Sequence, residues 1–406
     1  MAFNDTIRGD RLHIAFFGRR NAGKSTLINA LTGQNVAIIS DVPGTTTDPV
    51  YKAMELSPVG PVMLIDTAGM DDDAGQIGRE RVMRTREVLR KTDLAILVAD
   101  PTVDDCSAED EILSECSSLS IPVLIAVNKS DLIMTEAVQD WLAGKEHYFL
   151  SGLNGDGVAA FKEVIRQKAP KEWEPPFLSD LVRPGDLVLL VAPMDLGAPK
   201  GRLIMPQIKA LRDCLDADVA SVMCKERELP YTLSSLARKP SLVVTDSQVF
   251  PSVAADIHED IPLTSFSILS ARQKGDLLPM VESVYAVNNL KPGDRILIAE
   301  ACSHHPLADD IARVKIPRWL ESHVGGKLHI DTVPGSKYPD NLDEYRLVIH
   351  CGGCTLNRRE MLRRQSLPAA KNIPLTNFGV IIAFMKNVFP RALSPFPEIY
   401  RMFSQN

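Results

Sequence analysis

The sequence predicts an α/β protein: a doubly wound parallel sheet followed by two smaller α/β units. Three observations predict it. Residues 11–168 alternate short apolar runs with amphipathic helical stretches, the pattern of helices crossing between parallel strands. The segment 169–177 then carries the tandem Pro175 and Pro176, which cannot continue a helix and mark a linker. Beyond it, strand-like and helix-like patterns resume in two further groups.

In the first group the strand runs are 13–17, 62–65, 94–98 and 122–127, apolar throughout, as strands buried on both faces are. The second group has strand runs at 187–193, 219–223, 241–244 and 264–269, with helical patterns at 204–216, 229–238 and 247–257. The third starts near Ser270 with a helix over 273–288, then a strand over 295–300. A helix near 309–323, strands at 328–333 and 345–349, and mostly helix thereafter complete it. These groups predict domains at 1–170, 178–268 and 269–406. No internal repeat at a fixed period and no low-complexity tract is evident.

Composition narrows the function classes. With 45% hydrophobic and 24% charged residues, the 406-residue chain has ample apolar content for several cores. No run of 18 or more apolar residues appears, so no membrane span is expected. The N-terminal stretch lacks a secretory pattern, and a cytoplasmic location is expected. Net charge is −7, and it is uneven: residues 270–406 carry +5 and the remainder −12. A global nucleic-acid binder would be basic overall, so no nucleic-acid partner is expected. The seven cysteines read as free thiols or metal ligands, not as a disulfide framework.

Gly18-Arg19-Arg20-Asn21-Ala22-Gly23-Lys24-Ser25-Thr26 carries G-x-x-x-x-G-K-[ST] between a strand and a helix. Its glycines let backbone N–H groups converge on phosphate oxygens at a helix N-terminus. Lys24 is expected to meet the β- and γ-phosphates and Ser25 to ligate Mg²⁺. Asp66-Thr67-Ala68-Gly69 ends another strand, with Asp66 as the Mg²⁺-holding carboxylate and the Gly69 N–H reaching the γ-phosphate. Between them lies Pro43-Gly44-Thr45-Thr46-Thr47-Asp48, where a switch supplies a threonine to Mg²⁺. Spacing in similar GTPases selects Thr46, with Thr45 and Thr47 as rivals.

Asn128-Lys129-Ser130-Asp131 follows an apolar strand and supplies base selectivity. The Asp131 carboxylate can accept from guanine N1 and N2, a donor pair adenine lacks. Ser151-Gly152-Leu153 is expected to meet the guanine O6 through backbone N–H groups. The region resembles the bacterial Era/TrmE-like GTPases. Met70 stands where many small GTPases have a water-positioning Gln, which excludes direct Gln catalysis there. Asn21 resembles the Asn that helps bind K⁺ in cation-dependent relatives, so slow, K⁺-stimulated turnover is expected. The run Asp71, Asp72 and Asp73 can orient water, although acidic runs in loops are more often solvated.

A second constellation lies far downstream. Cys302-Ser303-His304 ends one predicted strand, and His350-Cys351-Gly352-Gly353-Cys354 ends another after 45 intervening residues. Open α/β sheets place sites outside the carboxyl ends of their strands. Zinc would take four of these five groups. Iron–sulfur ligation suits the three thiolates and leaves one iron for His304, His350, water or a carboxylate such as Asp309. Spacing leaves the two metals near parity. Arg358, Arg359, Arg363 and Arg364 follow at helical spacing, where they can draw in an anionic precursor or an acidic surface, or form a plain exposed stripe.

The joint pattern, a GTPase domain followed by C-x-H-x₄₅-H-C-x-x-C, resembles the HydF family of FeFe-hydrogenase maturation GTPases over essentially the whole chain. The resemblance implies a GTPase domain, a dimerisation domain and a cluster domain holding a 4Fe–4S centre through Cys302, Cys351 and Cys354. It implies a homodimeric scaffold or carrier that takes up a transient diiron precursor and delivers it to apo-hydrogenase. The radical-SAM maturases HydE and HydG are the implied upstream partners. The rival reading is an Era/TrmE-like ribosome- or tRNA-associated GTPase with a zinc-binding C-terminal domain.

Overall fold

A computed structural model describes residues 8–33, 49–69, 75–170, 174–193, 203–301, 310–335 and 337–404. The chain divides into two units, Met1–Trp173 and Glu174–Asn406.

In the first unit, β1 (Leu12–Phe17), β3 (Gly60–Asp66), β4 (Leu94–Ala99) and β5 (Val123–Val127) come from the predicted apolar runs. They pair in parallel inside a six-stranded sheet completed by β2 (Val50–Leu56) and β6 (His147–Phe149), in order β2-β3-β1-β4-β5-β6. Successive side chains of a strand face opposite layers. Accordingly Leu12, Ile14 and Phe16 pack with Leu27, Phe161 and Ile165 of two helices, while Ala15 and Phe17 pack with Ile112 and Val138 of two others. β2 and β6 go beyond the predicted strands. Both are half-buried sheet edges, and β2 pairs antiparallel with β3, so neither carries the apolar run of a central strand.

The second unit holds two four-stranded, all-parallel sheets over one continuous apolar core. The first contains β7 (Leu187–Val191), β8 (Ala220–Cys224), β9 (Leu242–Thr245) and β10 (Leu263–Ser265), in order β10-β9-β7-β8. The second contains β11 (Arg295–Glu300), β12 (His329–Pro334), β13 (Leu347–His350) and β14 (Leu375–Asn377), in order β12-β11-β13-β14.

These two orders are the same topology read from opposite ends, and the details repeat. Arg183-Pro184-Gly185-Asp186 enters β7 as Lys291-Pro292-Gly293-Asp294 enters β11. In each turn the glycine has positive φ, 85° and 91°, and the aspartate carboxylate accepts from the N–H three residues earlier, at 2.9 and 2.7 Å. Ile261-Pro262-Leu263-Thr264-Ser265-Phe266 likewise matches Ile373-Pro374-Leu375-Thr376-Asn377-Phe378, and in both the polar fifth residue caps the helix that follows. The expectation of no internal repeat is therefore corrected. The unit is a duplicated βα array, hidden because identity survives only at turns and caps.

The duplication explains two further departures. The apolar run 264–269 is only half strand: Ser265 accepts from the Ile268 N–H, and the helix Phe266–Lys274 starts there. The helix expected over 273–288 is broken at Gly275, and Asp276 caps a new one, Leu277–Glu282. The expected boundary at 268/269 thus falls inside a helix. Among the described residues no helix is long and apolar enough to cross a membrane.

Candidate nucleotide and sulfur sites

The nucleotide site grows from the end of β1. The loop after it turns through Asn21 at φ 61° and Gly23 at φ 89° before the helix Lys24–Thr32 begins. A Cβ on Gly23 would lie 2.1 Å from the Asn128 amide nitrogen, so only glycine admits that neighbour. Lys24 Nζ donates to the carbonyls of Gly18 and Arg19 at 3.0 and 2.8 Å, which arches the loop around its own ammonium group. Ser25 Oγ donates to Asp66 Oδ2 at 2.5 Å, joining the two expected Mg²⁺ residues. Burial raises the Asp66 pKa from its ordinary value, against the Ser25 hydrogen bond and the Lys24 charge. A carboxylate held in this way gains strongly from a divalent cation.

The base-selecting elements meet the same loop. Asn128 Nδ2 donates to Ala22 O at 2.9 Å, and its Oδ1 accepts from the Gly152 N–H at 2.9 Å. Asn128 therefore ties the phosphate loop to the Ser151–Gly152 loop. Ser151 Oγ donates to Asp131 Oδ1 at 2.8 Å, orienting the guanine-selecting carboxylate. Lys129, at φ 56°, donates to Asp100 Oδ2 at 2.6 Å. Burial works against the Asp100 carboxylate, but Lys129 and Thr102 outweigh it and hold its pKa low. Thr26 lies on the wall of a neighbouring open groove of about 810 Å³ with Gly152 and Lys162.

Sequence reasoning missed two supports here. One is Asp100, just past β4. The other is Arg19, which holds the wholly buried Glu109 through Nε, 3.1 Å from each carboxylate oxygen, and the Asp105 carbonyl through Nη2 at 2.6 Å. Neither has a contiguous motif to betray it. Thr46 and its rivals Thr45 and Thr47, as well as Met70, Asp71, Asp72 and Asp73, lie outside the described residues, and Gly69 is the last one described before Met70.

The sulfur site lies where the second sheet of the second unit changes direction. β11 pairs with β12 on one side and with β13 on the other, so the crevice between the β11 and β13 ends is a topological switch point. Ala299 is registered against His350, which brings the chain leaving β11 beside the Cys351–Cys354 turn. The Ala301 N–H donates to Cys351 Sγ at 3.1 Å. Both thiols are half-buried, and Gly353 at φ 65° lets the turn close between them. Two soft donors on one turn, with a backbone N–H aimed at one of them, fit a thiolate-held metal centre. Cys302, His304 and Asp309 lie outside the described residues.

His350 is placed differently from the role considered for it. It is wholly buried, its Nδ1 is 2.7 Å from the Cys351 carbonyl, and its Nε2 accepts from Arg364 Nε at 2.7 Å. Burial first, then Arg364, pushes its pKa down to about 3. Both nitrogens are engaged by protein groups.

The arginines do not form an exposed stripe either. Arg358 donates to the carbonyls of Gln273 and Gly275, both at 2.8 Å, and so braces the turn against the helix Phe266–Lys274. Arg363 pairs with Glu360, and Arg364 is fully buried.

Comparison with known proteins adds the family. The model "50S ribosome-binding GTPase" matches residues 13–129, "Hydrogen maturase F dimerization domain" matches 177–275, and "Hydrogen maturase F tetramerization domain" matches 279–395. The tRNA modification GTPase MnmE of Heliobacterium modesticaldum is 43% identical over 154 residues, 37% of this chain and 32% of that protein. MnmE of Rhodospirillum rubrum is 35% identical over 175 residues, 42% of this chain and 37% of that protein. The chain thus spans about a third of the length of these curated relatives. A variant of Aquifex aeolicus Era bound to GDP·AlF₄⁻ superposes at a TM-score of 0.35 with 20% identity, covering 55% of this chain and 98% of Era. The first unit is a GTPase domain, with the motifs that bind GTP or GDP with Mg²⁺ and hydrolyse GTP. With two of its family models covering more than half of the sequence, the chain belongs to the hydrogen maturase F (HydF) family.

Proposed function

We propose that this protein is a GTP-driven scaffold or carrier for FeFe-hydrogenase maturation. It holds a 4Fe–4S centre through Cys302, Cys351 and Cys354, receives a diiron precursor supplied by HydE and HydG, and passes it to the apo-hydrogenase. Residues 178–268 serve dimerisation, and 269–406 carry the cluster. The single observation that supports the reading best is the switch-point register: Ala299 faces His350, and the Ala301 N–H meets Cys351 Sγ. A centre held by three thiolates leaves one iron open to an external ligand, which suits cargo handling rather than electron relay.

Anaerobic reconstitution of the full chain with iron and sulfide tests the centre. The expected result is near four iron and four sulfide per chain and a reducible EPR signal. Zinc without iron would instead favour the Era/TrmE-like reading, whose support is confined to the GTPase domain.

The GTPase is proposed to use K⁺ through Asn21, an exposed phosphate-loop residue with left-handed backbone. Hydrolysis is expected to run several-fold faster in K⁺ than in Na⁺ at equal ionic strength. Equal rates in the two salts would remove K⁺ from the mechanism.

A further inference from the structure

Arg364 lies on the helix Arg358–Ala369, and its side chain is wholly buried. A guanidinium stays charged in proteins, and such a charge is normally buried only against an anion. Among the described residues none faces it. Nε donates to His350 Nε2 at 2.7 Å, Nη1 donates to the Gly335 carbonyl at 2.8 Å, and Nη2 has no partner. The group sits 4.7 Å from the centre of the Tyr338 ring, whose buried hydroxyl is also without a partner. The carboxylate one helical turn earlier, Glu360, is the natural ion-pair partner. It gives its two oxygens to Arg363 instead, at 2.9 and 2.7 Å.

His350 links this charge to the thiol turn. Arg364 can only donate, so His350 Nε2 accepts and Nδ1 carries the proton. Nδ1 then donates to the Cys351 carbonyl at 2.7 Å. A neutral ring thus links the Arg364 guanidinium to the Cys351 peptide.

We propose that Arg364 is the fixed counter-cation of the sulfur site, a positioning residue set beside Cys351 through His350 that stabilises the reduced state of the iron–sulfur centre held there. The inference rests on the reading of Cys351 and Cys354 as cluster ligands. Reduction adds one electron to the centre. A buried cation that no carboxylate among the described residues pairs with acts on that added charge with little screening. The net charge around a cluster is one determinant of its potential.

The test is a dithionite titration of the reconstituted full-length protein, followed by EPR, with iron and sulfide measured in parallel. Arg364→Gln and Arg364→Met are expected to load cluster and to shift the midpoint potential to more negative values. Arg364→Lys, which keeps the charge, should stay near wild type. The double variant Glu360→Gln/Arg363→Gln, which removes an ion pair that is neutral overall, should leave the potential in place. An unchanged potential in the Gln and Met variants at wild-type iron content overturns the proposal. Loss of the cluster from the Gln and Met variants but not from Lys supports a requirement for the charge. Loss from all three assigns Arg364 to packing and overturns it. Wild-type protein that takes up no iron would instead overturn the ligand reading, and this inference with it.

Discussion

Replacing Lys24 by alanine is expected to lower kcat/KM for GTP hydrolysis by about 10²–10³-fold, the loss typical when one preorganised charge stabiliser is removed. Three features put the effect at that size. The Lys24 ammonium is buried, so its charge acts with little screening. It is aimed by the Gly18 and Arg19 carbonyls, so little reorganisation is needed on meeting phosphate. It also lies close enough to Asp66 to favour the ionised carboxylate that Mg²⁺ requires. Truncation therefore removes a phosphate contact and weakens the metal site together. Steady-state phosphate release at limiting GTP measures the effect, and a loss under tenfold would contradict the assignment.

The second large effect is expected at Cys354. Its thiol shares one turn with Cys351 across Gly353, and the proposed cluster draws on both. Cys354→Ala should abolish stable cluster binding on reconstitution, seen as loss of the reduced EPR signal and of bound iron. GTP hydrolysis should stay within about twofold, because the nucleotide site belongs to the other unit. Alanine is close in size to cysteine, so the fold should tolerate the change. Full iron content in this variant would remove Cys354 from the ligand set.

Much of the candidate site was legible because its chemistry is contiguous. The phosphate loop, Asp66-Thr67-Ala68-Gly69 and Asn128-Lys129-Ser130-Asp131 each sit on one strand end, where fixed spacing is a physical requirement. What joins them was not legible. Asn128 belongs to a base-selecting motif, yet its amide stitches Ala22 to Gly152, which no local pattern encodes. The half-buried pair Arg19–Glu109 spans 90 residues and is hidden for the same reason.

The fold divides similarly. Central strands such as β1 and β4, buried on both faces, announce themselves as apolar runs. The edge strands β2 and β6 do not, and β14 has only three residues. The duplication was the largest omission. Its signal was present in Pro-Gly-Asp before β7 and β11 and in Ile-Pro-Leu-Thr before two capped helices. It escaped because the copies lie more than 100 residues apart and their apolar strands share pattern rather than identity. His350 is a further case: adjacency to Cys351 suggested a ligand, while its burial and its hydrogen bond from Arg364 are encoded by no local pattern.

The central claim is that the GTPase domain serves the sulfur site, and that both are needed to mature a hydrogenase. Activation of apo-hydrogenase in vitro, in the presence of the radical-SAM maturases and GTP, tests this most directly with wild type, Lys24→Ala and Cys354→Ala side by side. The predicted result is hydrogen evolution restored by wild type, strongly reduced with Lys24→Ala and absent with Cys354→Ala. Equal activation by wild type and Cys354→Ala would contradict the account.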